Sequence, residues 1–329
     1  MRRRGARAVL HREALQPKQT RDRPRVPEAS WRAAKNFTGA TIPVDAEAVI
    51  EVTTLEPLDG LEPVTLPESL VRAPYTPPSS GVAVPTASST TGAAAGGTVA
   101  EATLQGILEL LERDAFWFAA RTRMPLVPAD PAPVSELVDV LDRNYEVDVV
   151  LRWIPNPLSL PVAHCALVGR TARPMAARGM GVAVSSTAAL RKSVLEALQM
   201  WRSLMTGVDV APSDTDMRSL WWSGQAQEQF PAFFGQPELA QEIALWGSGL
   251  GSLGTESVLD ALIEHAARHG LRFARAVLAD HPSHSVVRVI SDRILPLDDL
   301  YFPNLRRFGD WERVSGHEGT IGYRGPLFM

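Results

Sequence analysis

A single cysteine, Cys165, among 329 residues excludes a disulfide framework and any zinc site built on thiolates, and it suits a reducing cytoplasm. The run Val162 to Val168 around it reads as a buried strand, so the thiol is expected to act as a small core hydrophobe. Long apolar runs are missing too. None approaches the roughly 18 residues of a membrane-crossing helix, and Met1 to Arg4 opens the chain without the apolar stretch of a signal peptide. Surplus charge is likewise absent: a formal net charge of -4 gives no basic field to recruit nucleic acid. The chain is therefore expected in the cytoplasm, with neither membrane nor nucleic acid as a partner. One further absence is local. Gly92 and Gly97-Thr98 before a helix approach a P-loop, but the phosphate-binding lysine before the threonine is lacking, which excludes that motif.

What is present is apolar material enough for a sizeable core, 45% of residues. The basic residues are unevenly placed: from Met1 to Lys35 eleven Lys or Arg face three acidic residues. Residues 1–45 are read as a basic, largely disordered arm, with a docking arm for an acidic peptide or partner as the alternative; Trp31 and Phe37 hint that its later part docks. Residues 46–329 are read as one domain. It opens with loop-rich chain and a short strand Val82 to Val84, and a small-residue turn from Gly92 to Gly97 leads into the first long helix, Val99 to Arg121. Thr98 is its expected N-cap, and Glu101 completes a capping box. A short helix Val134 to Asn144 follows, then Val-rich strands Val147 to Ile154, Val162 to Val168 and Ala176 to Val184. A second long helix runs from Ala188 to Met205, and after a Trp-rich stretch come a helix Glu256 to His269 and strands Phe273 to Leu278 and Val286 to Ile290. This order predicts an α/β (α+β) domain with helices packed on a mixed sheet.

At about 100° per residue, Glu101, Gln105, Glu109 and Glu112 fall within an arc of roughly 80° on the first helix, beside the apolar residues Leu104, Ile107, Leu108, Leu111 and Ala115. Carboxylates one turn apart repel, and a hard cation such as Mg²⁺ bridging to phosphate oxygens relieves them. An ordinary solvated acidic face has the same spacing. The second helix carries Lys192, Glu196, Gln199 and Arg202 on one side, with Val194, Leu195, Leu198 and Trp201 on the other. Cations, a carboxylate and an amide on one face suit a polyphosphate, although an amphipathic helix with internal ion pairs looks alike.

The wider text separates these readings. Ser89-Thr90-Thr91-Gly92-Ala93-Ala94-Ala95-Gly96-Gly97-Thr98, followed by Glu101-Ala102, Gly106, Glu109 and Glu112-Arg113-Asp114-Ala115, resembles the central signature of the YcaO family. Gly179-x-Gly181, Ala189-Leu190 and Glu196-x-x-Gln199-x-x-Arg202 are similar to that family's next block, and Val286 to Ile290 with Pro296 to its late strand. The resemblance runs in order from about residue 64 to about residue 300. It implies a YcaO-like fold and ATP with Mg²⁺ as cofactors. It also implies ATP contacts at Glu101, Gln105, Lys192, Gln199 and Arg202, and Mg²⁺ ligands at Glu109, Glu112 and Glu196. The implied activity is modification of peptide-backbone amides in a ribosomally made peptide, such as thiazole or oxazole formation in a bacteriocin. Precursor peptide and a partner protein, E1-like or a complementing YcaO half, are the implied partners. The sequence departs from the pattern as well. The family's Gly-Lys-Gly turn and first Glu-x-x-Glu-Arg helix are not found in residues 1–60, and Lys192 stands where arginine is usual. A non-catalytic scaffold that binds precursor peptide or a true cyclodehydratase is therefore the alternative.

Two further groups have plainer readings. His265 with His269, and His281 with His284, could begin a zinc site, but without a third ligand they read as surface histidines. Trp221, Trp222, Phe230, Phe233 and Phe234 are expected to pack a helical insertion, with an aromatic peptide-binding surface as the alternative.

Overall fold

The computed structural model describes residues 50–82, 84, 89–171, 174–206, 217–235, 244–247, 249–291, 293–294, 309 and 311–313. The expected basic arm, with Trp31 and Phe37, lies outside them. In chain order the elements are β1 (Val52–Pro57), β2 (Val64–Pro67), α1 (Glu68–Val71), β3 (Ala93–Gly96), α2 (Val99–Thr122), β4 (Val127–Pro128), α3 (Ser135–Tyr145) and β5 (Val147–Trp153). Then follow β6 (Val162–Gly169), β7 (Ala176–Val182), α4 (Ser186–Thr206), α5 (Met217–Ser223), α6 (Gln225–Gln229), α7 (Pro231–Phe234), α8 (Thr255–Arg268), β8 (Phe273–His281) and β9 (His284–Ser291).

The α+β expectation holds, but the single mixed sheet becomes two sheets, ordered β2-β1-β8-β9-β3 and β4-β5-β6-β7. Every strand pairing among the described residues is antiparallel. The reason is connection length: β5, β6 and β7, and likewise β8 and β9, follow one another through links too short for the crossover that parallel neighbours need. The expected strand at Val82 is reduced to an isolated bridge. Conversely, the expected turn from Gly92 to Gly97 contains β3, paired residue for residue with β9 from Ala93↔Arg288 to Gly96↔Ser285. Alanine and glycine have little strand preference of their own, so pairing with the Val-rich β9 decides the conformation.

The capping box forms: Glu101 N–H donates to Thr98 Oγ1 at 3.1 Å, and the Glu101 carboxylate accepts from Gly97 N–H at 2.8 Å. Past its first turns α2 is buried nearly all round, with every residue from Asp114 to Thr122 inside. A helix enclosed in this way has no single apolar stripe, which explains why the pattern is clear only in its first half. Asp114, the acid of the Glu-Arg-Asp sequence, is buried and accepts from the Trp311 indole at 3.0 Å, while Trp311 stacks on Phe118. The carboxylate thus ties chain from the far end of the sequence to the central helix.

Trp221, Phe230 and Phe233 are buried; Trp221 stacks on Phe230, Phe233 stacks on Phe116, and Phe230 tilts against Phe233, so the insertion α5–α7 packs as core. Cys165 is fully buried on β6, and burial pushes its thiol far above the usual range. His265 corrects the expectation of a surface histidine: it is buried, stacks on Trp246 and meets the Leu158 carbonyl oxygen at 2.8 Å. Among the described residues no helix is long and apolar enough to cross a membrane.

His164 on β6 is also buried, 4.4 Å from the Phe233 ring centre, with no hydrogen-bond partner for either ring nitrogen among the described residues. Burial first, then Arg178 and Arg152, hold its pKa well below the ordinary 6.5. Unfolding releases an imidazole that takes up a proton in acid, so the folded chain is expected to lose stability as pH falls below about 6.5. His164→Phe keeps the ring stack and removes this component. Melting curves between about pH 7.5 and 5.5 check it; an equal acid loss in both proteins would contradict the assignment.

Candidate functional site

α2 and α4 approach each other beside β7, and the space between their facing polar side chains is the candidate cleft. The edge of β7 is bound by α4: Met180 N–H donates to Glu196 Oε2 at 3.1 Å, and Arg178 N–H to Met200 Sδ at 3.3 Å. One turn before Glu196, the Lys192 ammonium donates to Val182 O at 3.2 Å and to Gln105 Oε1 at 3.3 Å, joining the two helices. So close an approach requires Gly179 and Gly181. A Cβ at Gly179 would lie 2.2 Å from both Ala197 N and Ser193 O, and one at Gly181 would lie 2.1 Å from Ala189 O.

On α2, Glu109 and Glu112 line the same cleft. Burial raises the Glu109 pKa, against the opposing effects of Arg113, a hydrogen bond from the Gly92 backbone and Arg288. Gly92 takes φ +84 in the turn before β3, and a Cβ there would lie 2.3 Å from Val289 O, so the approach of backbone to carboxylate depends on glycine. Glu112 is pushed up to about 7, first by burial and next by repulsion from Glu196; Glu109 adds to the rise, and Arg113 and Lys192 oppose it. Behind them Arg178 is buried with its guanidinium 4.2 Å from the Phe116 ring centre and 5.5 Å from that of Trp221. Burial lowers its pKa to about 10, while Glu196 and Glu112 favour its charge.

The structure therefore brings together Gln105, Glu109, Glu112, Lys192 and Glu196 of the expected set. Glu101 stands at the start of the same helix with its carboxylate committed to the cap. Gln199 and Arg202 lie farther along α4, exposed, and make no hydrogen bond or ion pair among the described residues. Leu195, expected on the apolar side, is 39% exposed, and Ala197 and Ser193 fill the contact with β7 instead. Three basic residues were not singled out in advance. Arg113 and Arg288 sit in stretches that carry the family resemblance, and Arg178 directly precedes Gly179; a basic residue inside a Val-rich strand reads as the solvent side of an alternating pattern.

Among the described residues no three His, Cys, Asp or Glu side chains form a metal cage by themselves. Mg²⁺ does not need one, since it takes one or two carboxylates and completes its shell with water and phosphate oxygens. Burial is the main cause of the rise at Glu112; the repulsion from Glu196 and Glu109 that adds to it is what such an ion would relieve, and Lys192, Arg113 and Arg288 supply positive charge beside it. The side chains present thus fit a divalent cation shared with a polyphosphate.

A family model described as YcaO cyclodehydratase, ATP- and Mg²⁺-binding, matches residues 2–293. That match starts well before the motif text near residue 64. Among solved structures, a heterocyclase in complex with substrate and cofactor is similar at 19% identity and a TM-score of 0.68, over 92% of this chain and 40% of that one. The heterocyclase TruD gives 19% and 0.61 over 80% and 37%. YcaO from Methanopyrus kandleri bound with AMPPCP and Mg²⁺ gives 23% and 0.58 over 80% and 71%. The chain thus spans about two fifths of the length of the first two structures. At these identities the likeness concerns the fold. No curated protein matches the sequence.

Proposed function

The chain belongs to the YcaO family, and from that premise we propose that it uses ATP and Mg²⁺ to modify backbone amides of a ribosomally made precursor peptide, by azoline-forming cyclodehydration or a related step. The reading rests above all on one feature, the meeting of Glu109, Glu112 and Glu196 with Lys192 in a single cleft. Burial first and repulsion from Glu196 next raise Glu112 to about 7, whereas a solvated acidic face would neither bury a carboxylate nor crowd it.

Bound there, ATP supplies a phosphoryl group that turns the amide oxygen into a leaving group once a nucleophile has added to the amide carbon. Glu109, Glu112 and Glu196 would hold Mg²⁺, one or two of these carboxylates to an ion, with water and phosphate oxygens completing its shell. Lys192, Arg113 and Arg288 would bind and orient the phosphates and offset their charge. Lys192 has a second task, because its bonds to Gln105 and Val182 fix the width of the cleft. Arg178, clamped by Phe116 and Trp221, closes the inner wall and keeps water from it.

A partner protein is part of this proposal. One similar structure is that of the E. coli microcin synthetase McbBCD complex with pro-MccB17 bound, and the Gly-Lys-Gly turn and first Glu-x-x-Glu-Arg helix are missing from the motifs found here. The test combines the full-length chain, a precursor peptide encoded beside it and the neighbouring gene products with Mg-ATP. Phosphate release and loss of water from the peptide, followed by mass spectrometry, are expected to require both the chain and Mg²⁺. Peptide that is retained but never altered, in every combination, would favour the scaffold alternative.

A further inference from the structure

The hairpin joining β8 to β9 turns through Pro282 and Ser283, which makes His281 and His284 its closing cross-strand pair. Both are exposed, and their ring centres lie 5.2 Å apart. The Ser283 hydroxyl sits between them, 2.9 Å from His281 Nδ1 and 3.1 Å from His284 Nδ1, so the two nitrogens converge on one point. Ser283 N–H also approaches His281 Nδ1 at 3.3 Å. The next pair on the ladder closes on itself: Ser285 Oγ donates to Asp280 Oδ1 at 2.6 Å, which ties the hairpin just below its tip.

We propose that this tip is a binding site for a divalent transition-metal ion of the Cu²⁺, Ni²⁺ or Zn²⁺ group, with His281 and His284 as chelating ligands. Imidazole nitrogens suit these ions and not Mg²⁺, so the site is chemically distinct from the carboxylate cleft. The hairpin ladder holds the two backbones in register and Ser283 contacts both rings, so part of the side-chain freedom is given up before binding. No third His, Cys, Asp or Glu joins them among the described residues. The ion therefore keeps positions open for the Ser283 hydroxyl, water or a ligand from another molecule.

Electron paramagnetic resonance of the full-length chain with one equivalent of Cu²⁺ tests this directly. The expected spectrum shows coupling to two imidazole nitrogens. His281→Gln or His284→Gln alone should leave one nitrogen. Together they should remove the nitrogen coupling and weaken Cu²⁺ binding roughly tenfold or more, since loss of a ligand costs at least what loss of a supporting residue does. The single variants keep the test usable should the double variant fold poorly. A two-nitrogen spectrum and affinity unchanged in the variants would overturn the assignment and place the copper elsewhere, as at His11 or His317.

Discussion

Glu112→Gln is expected to weaken Mg²⁺-dependent ATP binding by on the order of 10- to 100-fold and to flatten its dependence on pH near neutrality. In the free chain this carboxyl is held up to about 7 by burial and by Glu196. A metal ion needs the carboxylate, so affinity in the unaltered protein should climb as pH rises through about 7 and level off above it. Glutamine cannot ionise, and its curve should be flat over that range. Stability should move the other way. A carboxyl whose pKa is raised from 4.5 to about 7 by folding binds more protons folded than unfolded between those values, so the free chain loses stability as pH rises through that window. Glu112→Gln should therefore be the more stable protein above pH 7 while being the poorer binder. A side chain that merely supported the fold would shift both in one direction. Binding isotherms and melting curves across the same pH series check the pair of signs.

The second large effect lies in the packing beneath the site. Gly179→Ala is expected to cost about 3 kcal/mol or more, at the upper end for overpacking, because its methyl group meets backbone atoms of α4 at 2.2 Å and neither partner can swing away. Relief requires α4 to move off β7. That movement would break the bond from Met180 N–H to Glu196 and the reach of Lys192 to Gln105, so nucleotide affinity should fall together with stability. Gly251→Ala is the control: nothing lies within 4 Å of a Cβ there, and the change should stay within about 0.5 kcal/mol. Urea denaturation of the three proteins decides the matter, and an unchanged midpoint for Gly179→Ala would refute the packing argument.

Local signals made much of this fold legible in the sequence. Thr98 and Glu101 announce the start of α2 through the capping box, and the Val-rich runs locate β5, β6 and β9 because side-chain shape favours extended chain there. Information held by distant chain was hidden. β3 is a strand only because β9 lies beside it, and His265 is interior only because Trp246 and Leu158 cover it. The site divides the same way. Helical spacing grouped Gln105, Glu109 and Glu112 and, separately, Lys192 and Glu196. No periodicity within one helix could show that Lys192 would bond Gln105, 87 positions away. The inner wall was less accessible still, since Arg178 acquires its place from Phe116 and Trp221 on two other helices.

Calorimetric titration of ATP into the full-length chain, with and without Mg²⁺, alone and with its genomic neighbours, tests the central claim most directly. Glu109→Ala combined with Glu112→Ala serves as the control protein. The cleft between α2 and α4 predicts Mg²⁺-dependent binding that the double substitution abolishes. Equal binding by the double variant, or no binding by folded protein in any combination, would contradict it.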